Sequence, residues 1–86
     1  MSDSYWSPRD SLLAVIDAIA VKHGMTAADI RGPDRRHKFV IARHEAMAAV
    51  KQAKPDMSYP QMGRLFNRDH STVLYAVKKH NRGEVK

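Results

Sequence analysis

Apolar residues recur at helical spacing in the first part of the chain, between Ser7 and Gly24. Ser7 is a strong N-cap type, Pro8 suits a first helical turn, and Asp10 completes an S-x-x-D capping pattern. Trp6, just before the cap, is interpreted as a hydrophobic staple. The pattern predicts an amphipathic first helix whose apolar stripe comprises Leu12, Leu13, Ile16, Ile19 and Ala20.

Two further helices follow, separated by a basic loop. Thr26 and Asp29 form a T-x-x-D start signal, and Gly32-Pro33 ends this short second helix. A long third helix is predicted over residues 38–53, because Pro55 disfavours helical backbone just before it. The predicted core stripe of the long helix comprises Phe39, Ala42, Ala46, Ala49, Val50 and Ala53.

The last third of the chain contains two helical patterns joined by a tight turn. Ser58 and Gln61 have the spacing of a capping box, and Asn67 suits the left-handed residue that ends the fourth helix. Asp69 is a strong N-cap type for a fifth helix over residues 70–81. A helix with short polar side chains at its N-terminus, following a turn of this kind, is typical of a helix-turn-helix. Those side chains are His70, Ser71 and Thr72, and Tyr75 is predicted to lie on the same face.

The run MGRLFNRDHSTVLYAVKK resembles the signature of the C-terminal DNA-binding domain (domain IV) of the bacterial replication initiator DnaA. The order of elements from about Pro8 to His80 is also similar to that domain. The resemblance implies an all-α fold of about five helices, with a helix-turn-helix of the DnaA domain IV or Trp-repressor-like type. We expect one domain over residues 1–86, with a core at about 8–81 and frayed termini.

Composition narrows the possible functions. The 86 residues include no cysteine, which excludes a disulfide framework and a Cys-ligated zinc site. There is no P-loop motif and no H-E-x-x-H spacing. We therefore expect a protein that is not an enzyme and that binds no cofactor, nucleotide or metal. No apolar run approaches the roughly 20 residues of a membrane span, so we expect no membrane partner and a cytoplasmic, nucleoid-associated location.

Positive charge is concentrated after the first helix. The formal net charge is +6, with residues 1–30 mildly acidic and residues 31–86 basic. This asymmetry is typical of a polyanion binder whose scaffold helix is held away from the ligand.

The resemblance implies a set of residues that read DNA bases. The implied positions are Arg68, Asp69, His70, Ser71 and Thr72 in the major groove, Pro60 against a thymine methyl group, and Arg35 in the minor groove. These types suit their roles, because carboxylate, imidazole and hydroxyl groups bond base edges and a guanidinium suits a narrow A·T-rich minor groove. Asp69 also has a competing structural role as N-cap.

A second set consists of predicted phosphate contacts. It comprises Arg36, Lys38, Arg43, His44, Lys51, Arg64, Lys78 and Lys79. Arg43, Met47 and Lys51 lie along one edge of the long helix, at i, i+4 and i+8, and we expect Arg43 and Lys51 to hold phosphates from this edge. His44 stands where the family usually has glutamine, which puts a contact from this position in question.

The predicted function is sequence-specific binding of double-stranded DNA at DnaA-box-like sites, with helix 70–81 in the major groove. The expected role is regulation of replication initiation or transcription, in possible competition with full-length DnaA, with one monomer per site. The turn at Asn67 is one residue shorter than in the family, which favours a first alternative, a transcription factor with an unrelated operator. A second alternative is a basic protein–protein adaptor that does not bind DNA.

The chain length leaves two origins open. The start MSDSYWSP reads like a natural N-terminus, whereas an excised domain explains the length equally simply. Either way, 86 residues are too few to include the ATPase domain of the full-length initiator.

Overall fold

Five α-helices make up the part of the chain that the structure describes. The computed structural model describes the backbone of residues 8–83 and the side chains of residues 11–83. The helices are α1 (Pro8–Lys22), α2 (Ala27–Arg31), α3 (His37–Ala53), α4 (Tyr59–Phe66) and α5 (His70–Asn81). Residues 8–83 contain no strand, so the all-α prediction is confirmed, and the predicted helix ends agree to within two residues. The predicted cap at Ser7 and staple at Trp6 lie outside the described residues.

Reciprocal side-chain caps explain where two of the helices begin. The Thr26 hydroxyl accepts from the Asp29 N–H at 3.1 Å, and the Asp29 carboxylate accepts from the Thr26 N–H at 3.0 Å. Ser58 and Gln61 form the same arrangement at the start of α4, at 3.2 and 3.0 Å. Each box satisfies two backbone donors that have no partner within the helix, so local sequence sets both starts.

Helix α3 lies at the centre of the fold, with α1 and α2 packed against it from one part of the chain and α5 from the other. Side chains from all five helices share one apolar core. Among its fully buried members are Ile16 of α1, Ile30 of α2, Val50 of α3, Phe66 of α4 and Val73 of α5. The position of α5 is therefore set by the same core that holds α3.

The buried face of α3 differs from the predicted stripe. Phe39, Ala42, Ala46 and Val50 are buried as expected, but Ala53 is exposed. Met47, on the edge that it shares with Arg43 and Lys51, is also fully buried. Packing on more than one side widens the buried arc of a central helix beyond the single stripe of a surface helix. Among residues 8–83, no helix combines the length and apolar composition that crossing a bilayer requires.

Candidate nucleic-acid interface

The turn between α4 and α5 brings the backbone of Arg68 against the backbone of Gly63. Asn67 is the left-handed residue, with φ 57° and ψ 42°, as predicted. The Arg68 N–H donates to the Gly63 carbonyl at 2.8 Å. A Cβ atom at Gly63 would lie 2.4 Å from the Arg68 carbonyl oxygen, so only glycine, which has no Cβ atom, fits at this position. Sequence reasoning missed Gly63, although a glycine within a helical pattern often indicates close backbone approach.

We define the recognition edge as Asp69, His70, Ser71 and Thr72, the residues at the N-terminal end of α5. The Asp69 carboxylate accepts from the Ser71 N–H at 3.1 Å, so its predicted N-cap role is confirmed. The Asp69 and His70 side chains are 69% and 58% exposed, and Ser71 and Thr72 are also exposed. The apolar side of α5 faces the core, which leaves these polar groups available to a ligand. That buried side comprises Val73, Ala76 and Val77.

Tyr75 extends this exposed surface by one helical turn. Tyr75 is 58% exposed and lies four residues after Ser71, on the same side of α5. The Lys79 ammonium lies 5.4 Å from the centre of the Tyr75 ring. The sequence pattern predicts Tyr75 on this face, and its exposure confirms that placement, although Tyr75 is not among the predicted DNA contacts.

We define the basic loop as residues 32–36, between α2 and α3. Arg35 is exposed and makes no hydrogen bond or ion pair with another described residue. Arg36 is also exposed, but its guanidinium pairs with the Asp34 carboxylate at 2.9 Å. Hydrogen bonds from the Arg36 side chain and backbone N–H lower the pKa of Asp34, and the same side-chain bond raises the pKa of Arg36. Arg35 is therefore the more available cation of the two.

The basic loop lies beside the helix-turn-helix. Arg68 Nη2 donates to the Gly32 carbonyl at 2.6 Å, and Arg31 Nε donates to the Leu65 carbonyl at 2.6 Å. These bonds join positions 36 and 34 residues apart in the sequence. Arg35 and the recognition edge consequently lie at the same end of the molecule.

The structure contradicts the predicted phosphate contact of Arg43, which is only 5% exposed. Its Nε donates to the Ile30 carbonyl at 2.6 Å, and its Nη2 donates to the carbonyls of Gly32 and Asp34 at 3.1 and 2.9 Å. Burial, and secondarily repulsion from Arg68, lowers the pKa of Arg43. The guanidinium faces inward because the C-terminal carbonyls of α2 lie beside that edge of α3.

Two other predicted contacts have donors that are already engaged with the protein. Arg68 Nη1 donates to the carbonyls of Phe66 and Asn67, both at 3.2 Å, in addition to the Nη2 bond described above. The half-buried Lys51 donates to the Met57 carbonyl at 2.7 Å, with its ammonium 4.6 Å from the centre of the Tyr59 ring. Both side chains hold connections between helices, so we give them structural roles.

His44 is half-buried beside α5. Burial, together with the nearby charges of Lys79, Arg43 and His80, lowers the pKa of His44 from its ordinary value of 6.5. Its Nδ1 atom is buried without a hydrogen-bond partner among the described residues. The lowered pKa disfavours the charged imidazolium, so the ring is a poor partner for a phosphate. Among the side chains of residues 11–83, no three His, Asp or Glu groups cluster as a metal site requires.

The remaining predicted contacts lie where solvent reaches them. Pro60 is exposed at the start of α4. Lys38, Arg64 and Lys78 are exposed, and Lys79 is half-buried against Tyr75. Their side chains can reach a polyanion without disturbing the core.

Comparison with known proteins gives a consistent result. Residues 13–79 match the family model described as bacterial DnaA protein helix-turn-helix. The chain is 35% identical over 77 residues to the chromosomal replication initiator protein DnaA of Deinococcus radiodurans, covering 86% of this chain and 16% of that protein. It is 38% identical over 73 residues to the DnaA of Mycobacteroides abscessus, covering 84% of this chain and 14% of that protein.

A third relative, the DnaA of Tropheryma whipplei, is 34% identical over 67 residues, covering 78% of this chain and 14% of the relative. No solved structure matches the chain significantly. The chain thus spans about one sixth or less of the length of these relatives. The family match over most of the chain, on an all-helical fold with an exposed recognition edge, shows that the chain belongs to the DnaA C-terminal helix-turn-helix family of DNA-binding domains.

Proposed function

We propose that the chain binds double-stranded DNA sequence-specifically, at sites similar to the DnaA box. Its family membership supports DNA binding by the helix-turn-helix. The observation that carries the finer proposal is the solvent-facing recognition edge, beside a basic loop whose Arg35 is exposed. A helix N-terminus and a neighbouring arginine can then contact adjacent major and minor grooves of one duplex.

The recognition edge supplies the major-groove contacts in this proposal. The His70, Ser71 and Thr72 side chains donate to or accept from base edges, and the Thr72 methyl group suits a thymine methyl. Pro60 presents a second apolar surface for a thymine. Asp69 can contact a cytosine amino group with the carboxylate oxygen that does not cap α5, since its side chain is 69% exposed.

Arg35 supplies the minor-groove contact. A narrow, A·T-rich minor groove has an enhanced negative potential, which favours an inserted guanidinium. The exposed side chain has no described partner to give up on binding, so insertion breaks no ion pair within residues 8–83. Arg36 would first have to weaken its bond to Asp34, which favours Arg35 as the inserted residue.

Exposed basic side chains around both elements supply the phosphate contacts. We assign this role to Arg36, Lys38, Arg64, Lys78 and Lys79. Each contact carries no sequence information, but together they position the protein on the duplex. Each neutralised phosphate steepens the fall of log affinity with log salt by about 0.9.

Occupancy of DNA sites is the biological effect that such a domain can exert by itself. We propose that it regulates replication initiation or transcription from the nucleoid, as one monomer per site, in competition with full-length DnaA at shared sites. Competition footprinting with purified initiator tests this role: loss of initiator protection at boxes as the protein is added is expected, and unchanged protection contradicts it.

Fluorescence anisotropy on a DnaA-box duplex and on a scrambled duplex of equal length tests the binding proposal. We expect tighter binding to the box, by a factor of about 10³ or more, and a steep salt dependence on both duplexes. Equal affinities with a steep salt dependence would indicate an unrelated operator. Weak binding that is independent of salt would favour a protein–protein adaptor.

A further inference from the structure

A seam of polar side chains joins the basic loop to the helix-turn-helix. We define the polar seam as Arg31, Arg43, Asn67 and Arg68. Arg31 Nε donates to the Leu65 carbonyl at 2.6 Å, and Asn67 Nδ2 donates back to the Arg31 carbonyl at 3.2 Å. The end of α2 and the turn after α4 are thus bonded in both directions.

Arg68 and Arg43 converge on one backbone atom. Arg68 Nη2 lies 2.6 Å and Arg43 Nη2 lies 3.1 Å from the carbonyl oxygen of Gly32, which caps the C-terminus of α2. Two like charges meet there because the carbonyl end of a helix carries partial negative charge and unpaired acceptors. The planar fork of a guanidinium can bridge several carbonyls in fixed directions, which a lysine ammonium cannot.

One hydrogen bond from the seam and one within the basic loop hold the backbone on both sides of Arg35. Arg43 Nη2 donates to the Asp34 carbonyl at 2.9 Å, one residue before Arg35. The Asp34 carboxylate accepts from the Arg36 N–H at 2.9 Å, one residue after it. The backbone at Arg35 is therefore anchored while its side chain remains exposed. Anchoring of this kind reduces the ordering that binding must otherwise impose.

We propose that Arg68 and Arg43 are positioning residues, which set the distance between the minor-groove arginine, Arg35, and the recognition edge. This inference rests on the proposed function, since it assumes that both elements contact one duplex. Arg68 links the two most directly, because it lies one residue before Asp69 and donates to the loop at Gly32. It acts on DNA through Arg35 and reads no base itself.

A double-mutant cycle between Arg68→Ala and Arg35→Ala, measured as affinity for the DnaA-box duplex, tests this role. Removing a base-contacting arginine costs about 1–3 kcal/mol, which is roughly 5- to 150-fold in affinity. We expect Arg68→Ala to weaken binding by at least fivefold in the wild-type background and by less than twofold in the Arg35→Ala background. Side chains that act through one another are non-additive in this way, whereas independent contacts add.

Two further variants separate positioning from charge. Arg68→Lys keeps the charge but loses the fork, so we expect it to bind as weakly as Arg68→Ala. Arg64→Ala removes an equal charge from the exposed face of α4, and its effect should add to that of Arg35→Ala. Recovery of wild-type affinity by Arg68→Lys would overturn the proposal in favour of a simple charge effect.

Amide hydrogen exchange in the DNA-free protein gives a second readout. Arg68→Ala should speed exchange at the Arg36 amide, which lies within the basic loop, while amides in the middle of α3 stay protected. Protection of the Arg36 amide equal to that of wild type would overturn the proposal, even if this variant bound DNA poorly.

The cycle also distinguishes failure of the minor-groove role of Arg35 from failure of the positioning role of Arg68. If Arg35→Ala binds the box as well as wild type, the minor-groove role of Arg35 is wrong and the positioning proposal falls with it. If Arg35→Ala weakens binding and the Arg68→Ala effect adds to it in full, only the positioning proposal is overturned. Circular dichroism and thermal melts of each variant identify any loss of folded protein.

Discussion

The recognition edge and the polar seam are both rich in polar side chains, but the side chains of the edge face solvent and those of the seam bond to the protein's own backbone. At the recognition edge, the His70 side chain is 58% exposed. In the seam, Arg43 is 5% exposed and donates to backbone carbonyls of α2 and the basic loop. Local position relative to the carbonyl end of α2 decides which role a basic side chain has. A positive charge in a DNA-binding sequence is therefore not sufficient evidence of a DNA contact.

Loss of Arg43, the most deeply buried arginine of the polar seam, is expected to have the largest effect. Arg43→Ala removes the guanidinium donor of the Ile30 and Asp34 carbonyls and its packing in the core, which should lower the free energy of unfolding by about 3–5 kcal/mol. Urea denaturation followed by circular dichroism measures this, with Arg64→Ala as the exposed control at less than about 0.5 kcal/mol. Equal, small losses for the two arginines would remove the distinction between seam and surface.

The close turn should be nearly as sensitive. Gly63→Ala places a methyl group against the Arg68 carbonyl, at the 2.4 Å separation noted above, so the backbone of the turn must move. We expect a loss of about 3 kcal/mol in the free energy of unfolding, because rigid backbone rather than a mobile side chain opposes the new atom. Gly24→Ala is a poor control, because φ at Gly24 is +70° and alanine would be strained there. Gln61→Ala, at an exposed position of the same helix α4, removes only the side-chain cap of the Ser58 N–H.

A substitution at the recognition edge should leave stability intact and change binding. His70→Ala is expected to cost about 1–3 kcal/mol of binding free energy on the preferred duplex and much less on random DNA. The free energy of unfolding should change by less than about 0.5 kcal/mol, since the side chain is exposed. An equal loss on both duplexes would assign His70 to phosphate positioning instead.

The smallest expected effect is a pH dependence from His44, the residue that follows Arg43 in α3. The lowered pKa of His44 means that the unfolded state binds more protons than the folded state as pH falls below the ordinary value of 6.5. Stability should therefore decrease on acidification through that range and recover as pH rises. Urea denaturation at pH 7.5 and pH 5.5 checks this, and His44→Gln should show a smaller difference between the two.

Much of this fold is encoded in short-range sequence signals. Capping boxes at Thr26 and Ser58, the left-handed Asn67 and the cap at Asp69 are all formed as the sequence predicts. Each depends on residues no more than three positions apart, so no knowledge of the tertiary arrangement is needed to find it. The exposure of the recognition edge follows similarly from the apolar spacing along α5.

Tertiary structure alone decided the direction in which the arginines point. The partners of Arg43 lie 9 to 14 residues before it, and the Gly32 partner of Arg68 lies 36 residues away. The local pattern around Arg43 does not show that α2 ends beside it. From the sequence alone, this edge of α3 is therefore predicted to be a solvated basic face. The same holds for Met47, buried because neighbouring helices cover a wider arc of α3 than one apolar stripe. Sequence determined the helices and their caps, whereas helix packing determined which cations remain free for a ligand.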